Sequence, residues 1–137
     1  MYSVYSLYDI SFGIFYESIF IGLYSLVLYT ILNRFIINVP YSYVLFILGV
    51  AKHFLGYFGG LQTYYCQVYK DEHSVAIVPT ALDLVFEGLL YVLIGLSFLY
   101  IVKNKYIIAF LTGVVLHLGF EFVGLHKYFL RTRCEVV

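Results

Sequence analysis

The sequence predicts an all-α fold, a four-helix transmembrane bundle made of two parallel helical-hairpin repeats. Three observations carry this. First, 63% of the 137 residues are hydrophobic, 21% aromatic and 12% charged, with a mean hydropathy of +0.92, whereas an ordinary soluble domain is about half apolar and a quarter charged. A soluble chain of about 150 residues buries only about 70% of what its unfolded form exposes, too little to hide this much apolar surface. Second, four stretches approach the roughly 20 apolar residues that cross about 30 Å of hydrocarbon. Third, residues 110–128, FLTGVVLHLGFEFVGLHKY, overlie residues 46–64, FILGVAKHFLGYFGGLQTY, with eight identities in nineteen positions and no gap.

The N-terminal stretch MYSVYSLYDISFG has no Lys or Arg and carries Asp9. It lacks the basic region of a cleaved signal peptide, so the first helix is expected to stay. That helix spans about 10–32 with Glu17 as its only charge, and Asn33, Arg34 and Pro40 close it. A second helix spans about 43–65 and carries Lys52 and His53. Residues 66–80 hold Lys70, Asp71, Glu72 and His73 and read as the main exposed loop. The third helix, about 81–102, contains Glu87; Lys103-Asn104-Lys105 forms a polar turn; the fourth, about 106–128, leads into a basic tail, 129–137. The whole is one integral membrane domain, with repeat 1 at about 10–65 and repeat 2 at about 81–128.

A unit of two spans returns to its starting side, so the two copies share one orientation, a geometry known in some transporters. In the odd helices the match rests mainly on Glu17 with Glu87 and Leu23 with Leu93. The N-terminus, the 66–80 loop and the tail share one side of the membrane, side A. It carries Lys70, Lys127, Arg131 and Arg133, against Arg34, Lys103 and Lys105 on side B. The positive-inside rule therefore puts side A in the cytosol by one residue, while the first helix alone votes the other way. Cys66 and Cys134 both lie on side A, so their redox state follows sidedness.

Depth along the helices groups the ionisable residues. Glu17, Glu87 and Glu121 each lie about seven residues, or about 10 Å, from side A, with His53 and His117 deeper and Gln62 and His126 near the surface. His117 and Glu121 are four apart and share a helix face with Gly113 and Gly124; Gly49, His53, Gly56 and Gly60 repeat that stripe. Small residues four apart let membrane helices approach closely, so these glycines are expected at helix contacts. A charged group at such depth costs about 2.5–3.5 kcal/mol and faces a bundle interior. Glu17, Lys52, His53, Tyr57, Glu87, His117 and Glu121 thus form an expected buried network in which Lys52 neutralises a carboxylate and His117 pairs with Glu121.

Such a network serves first as interhelical glue. A metal site, if any, would draw on His53, His117, Glu121, Glu17 and Glu87; haem would take His53 and His117 as axial ligands. Proton relay is a further class, since Glu and His chains mark proton paths, and a homo-oligomer would supply the pore that one four-helix bundle is too small to form. No G-x-S-x-G, H-E-x-x-H, Walker or dinucleotide signature occurs, so no catalytic residue and no cofactor is assigned. Zero net charge gives no case for nucleic acid.

The blocks KHFLGYFGGLQTYYC and LHLGFEFVGLHKYFLRTRC resemble those of small polytopic membrane proteins encoded by large DNA viruses, some of which sit in the inner membrane of the virion or beneath its capsid. The resemblance covers the two even helices. It implies a virion membrane component that anchors the shell through residues 66–80 and 129–137, and it assigns no catalytic residues. The expectation is a non-enzymatic structural or assembly protein of a membrane, in contact with the lipid bilayer and with protein partners through those two segments.

Overall fold

A computed structural model describes residues 7–59, 63–64, 66–67, 75–77 and 80–136. Its elements are α1 (Leu7–Phe35), α2 (Tyr41–Phe58), β1 (Val75–Ile77), α3 (Ala81–Leu99), α4 (Lys105–Val123), α5 (Leu125–Arg133) and β2 (Cys134–Val136). Four stretches, Gly13–Phe35, Tyr41–Phe58, Ala81–Leu99 and Lys105–Val123, are helices long and apolar enough to cross a membrane. At most 33% of the apolar window in each is buried within the protein. The outer row Phe20, Leu23, Val27 and Ile31 of α1 is about half exposed. So large an apolar surface marks a lipid-facing wall. The chain is an all-α bundle of the multi-pass integral membrane kind.

Local chemistry sets the helix ends. Asn38 takes the left-handed conformation, φ 62°, in the turn before Pro40, which opens α2. The Thr80 hydroxyl accepts from the Asp83 backbone N–H at 3.4 Å and starts α3. The Asn104 side chain accepts from Tyr106 and Ile107 at 2.9 and 3.4 Å and starts α4. Two predicted spans end early. α2 stops at Phe58, where the Gly59 N–H caps the Leu55 carbonyl. α4 stops at Val123 because Gly124 adopts φ 76°, the left-handed helix cap that glycine takes without a Cβ penalty. The chain then turns into α5.

The predicted exposed loop and basic tail are not separate. Cys66 is buried and disulfide-bonded to Cys134, with Cα atoms 5.6 Å apart. β1 and β2 pair antiparallel, with Val75 opposite Val136 and Ile77 opposite Cys134. Cys66 and β1 are thereby joined to α5 and β2 in one covalently closed cap on side A.

Within the bundle, α1 packs mainly on α4 and α2 on α3, while the hairpin partners touch less. Each main crossing has a glycine at its closest approach. A Cβ on Gly49 would stand 2.8 Å from the Glu87 carbonyl and the Gly88 Cα. One on Gly113 would stand 3.0 Å from the Ile21 carbonyl and 3.1 Å from the Gly22 Cα. Gly49 and Gly113 are 64 positions apart, but Gly22 and Gly88 are 66 apart. The packing thus relates Glu17 to Asp83 and Leu23 to Leu89, one helical turn away from the match of Glu17 with Glu87. Leu28, Tyr29, Val44, Leu48, Tyr91, Ala109 and Leu116 form the apolar core.

Candidate functional site

The crossing at Gly49 brings α2 and α3 close enough for their polar residues to meet. The Lys52 ammonium and the His53 Nδ1 each donate to one oxygen of the Glu87 carboxylate. Lys52 also lies 5.7 Å from the Tyr91 ring centre, and Glu87 is only 4% exposed. On the other edge of the imidazole, Nε2 lies 3.0 Å from the Tyr57 hydroxyl, which donates to Asp83 Oδ2 at 3.3 Å. Both nitrogens of His53 are thus engaged by protein partners.

The chain of contacts ends on α5. Arg133 donates to Asp83 Oδ2 through Nε at 2.9 Å and to Oδ1 through Nη2 at 3.2 Å, the two-pronged geometry of a guanidinium on a carboxylate. These bonds raise the pKa of Arg133 above its already high ordinary value. Two further contacts tie in α1. Tyr24 donates to the Lys52 carbonyl at 3.2 Å, and the hydroxyls of Ser25 and Tyr91 lie 2.5 Å apart.

A second group joins α1 and α4. His117 Nε2 donates to Glu17 Oε2 at 3.3 Å. Donor atoms of Glu17, His117 and Glu121 all lie within 4.8 Å of one another. His117 is buried, while the Glu17 side chain is 46% exposed. Between the two groups lies a cavity of about 170 Å³. Its walls include Lys52, His53, Glu87 and His117, and Leu125, Phe129 and Arg133 of α5 close it on side A.

The expected network is thus divided into two clusters. Lys52, His53, Tyr57 and Glu87 form one, and Glu17, His117 and Glu121 the other. The three carboxylates do not share one level, because Glu87 stands one turn deeper than the packing counterpart of Glu17. Both His53 nitrogens are in contact with protein groups, and the cavity is below the roughly 300–1,000 Å³ of ordinary ligand pockets, so the geometry adds nothing in favour of the haem arrangement. Among the glycines, Gly49 and Gly113 sit at close helix contacts and Gly56 lines the cavity. Gly124 is a helix cap, since a Cβ there would meet nothing within 4 Å. Gly60, Gln62 and His73 lie outside the described residues, as does the His126 side chain.

Asp83, Arg133, Tyr24, Ser25 and Tyr91 are contributors that the sequence does not single out. Asp83 carried a signal: it lies four residues before Glu87, on one face of the same helix. Arg133 carried none, because its role depends on the chain turning back at Gly124. Comparison of the chain with protein-family profiles, with curated proteins and with solved structures finds no match.

Proposed function

We propose that the chain is a non-enzymatic structural or assembly component of a membrane, with a virion membrane as the setting that the sequence resemblance implies. In this reading the Glu/His core locks the bundle, and protein partners are met through the sequence segments 66–80 and 129–137. The observation in its favour is the continuous polar path Lys52, Glu87, His53, Tyr57, Asp83, Arg133, which runs from α2 through α3 to α5. Each side chain in it is engaged by another, as a lock requires.

Substituting Lys52→Met and Glu87→Leu, singly and together, tests the lock through thermal unfolding in detergent. Breaking a buried pair costs about 3–5 kcal/mol, whereas replacing both partners by apolar groups is often neutral. The expected result is two unstable single variants and a double variant close to the parent. A proton flux in liposomes that disappears with Glu121→Gln would overturn the reading in favour of a relay.

A further inference from the structure

A separate cavity, of about 210 Å³, lies at the side B end of the bundle, where the end of α1 meets the starts of α2 and α4. Tyr29, Asn33, Asn38, Tyr41 and Lys105 are among its walls, and the surface they present is mainly polar. The Lys105 ammonium rests over the Tyr41 ring, 4.9 Å from its centre. Tyr41 itself holds a hydroxyl that is buried with no hydrogen-bond partner among the described residues. Such a group is costly to leave unmet, and in a native protein it calls for a partner. Charge is one-sided at this end. Residues 33–43 and 100–106 contain Arg34, Lys103 and Lys105 and no acid, although the chain as a whole is neutral.

We propose that this cavity binds the phosphate of an anionic phospholipid headgroup. It lies where the spans end, at the level where membrane proteins place tyrosine and lysine among lipid headgroups. Its volume suits a phosphate and part of its ester rather than a whole ligand of ordinary size. Lys105 offers the phosphate a point charge. The Asn33 amide donates to the Tyr106 hydroxyl at 3.3 Å and has a second N–H to give. As Lys105 moves from the ring to a phosphate oxygen it uncovers Tyr41, whose hydroxyl then donates to the same group. Phe35 and Ile37 stand beside the cavity, 80% and 71% exposed, an apolar surface that receives the glycerol ester and first methylenes of a lipid and offers nothing to a free ion. Arg34 and Lys103 at the same end favour a headgroup of net negative charge over a zwitterionic one, which brings an ammonium of its own.

The test uses the full chain, delipidated in detergent and titrated with phosphatidylglycerol, phosphatidylcholine or inorganic phosphate under native mass spectrometry. One phosphatidylglycerol per chain is expected, bound about tenfold more tightly than phosphatidylcholine. Lys105→Gln should weaken it about fivefold, and Tyr41→Phe about threefold, while Arg131→Gln on side A leaves it unchanged. Without lipid, Tyr41→Phe should melt no lower than the parent, because the unmet hydroxyl is gone; its loss of binding is then not a loss of fold. Equal affinity for the two lipids, or binding undiminished in either cavity variant, overturns the proposal. Inorganic phosphate that binds as tightly as phosphatidylglycerol also overturns it, since the site would then be one for a free ion. Should a variant fail to fold, the wild-type comparison of the three probes decides.

Discussion

Asp83 and Arg133, 50 residues apart in sequence, share two hydrogen bonds that fasten α5 to the first turn of α3. The pair lies at the rim, with side chains 17% and 25% exposed. Asp83→Asn is therefore expected to cost only about 1 kcal/mol, less than a fully buried charged contact. Amide exchange should show the loss in residues 125–133 and leave the four spans protected. A uniform loss across the spans would mean that the pair holds the bundle and not its cap.

Gly49→Ala is expected to weaken the bundle where α2 crosses α3. Its Cβ would press on backbone, the Glu87 carbonyl and the Gly88 Cα at 2.8 Å, which cannot rotate aside. A cost of about 1–3 kcal/mol follows from overpacking alone. Gly119→Ala is the control, since a Cβ there meets nothing within 4 Å. Equal melting temperatures for the two variants would refute the close crossing of α2 and α3.

At Gly124 the difficulty is conformational. With φ 76° and open space around it, Gly124→Ala adds no clash but forces an alanine into the left-handed region, at about 1–2 kcal/mol. Gly124→Asn should cost less, because asparagine visits that region more readily. Thermal unfolding of the two variants gives the ranking; alanine as good as asparagine would show that α4 does not end there.

The cap carries a prediction of sidedness. Disulfides persist in oxidising compartments, so with Cys66 bonded to Cys134 side A is expected on the lumenal or outer face. The basic-residue count that favours a cytosolic side A rests on one charge, and Arg133 is already spent on Asp83. The first helix, with Arg34 after it, gives the same orientation as the disulfide. A glycosylation acceptor inserted near position 72 should be modified in microsomes; modification of one inserted near Asn104 instead would reverse the assignment.

The sequence carried the spans plainly, because an apolar run has to be long to cross lipid and few other structures tolerate it. It also marked Lys52, His53, Glu87 and His117, since an ionisable group in such a run stands out. What it hid is relational. Nothing local distinguishes Gly124, which ends a helix, from Gly49, which lets two helices touch. The odd-helix register was misleading because two glutamates attract alignment, whereas the crossing glycines, Gly22 and Gly88, fix which turns are equivalent. Asp83 and Arg133 meet only once α5 has folded back.

The bond between Cys66 and Cys134 closes a ring of chain that contains both α3 and α4. Once the third span is inserted, Cys134 reaches side A only after the fourth has crossed the bilayer. The bond therefore cannot form while the third span is inserted and the fourth is not, and its presence is a covalent record that excludes that topology. Molecules that insert the third span but not the fourth leave Cys134 on side B and keep two free thiols, and thiol labelling during synthesis would separate them from finished ones.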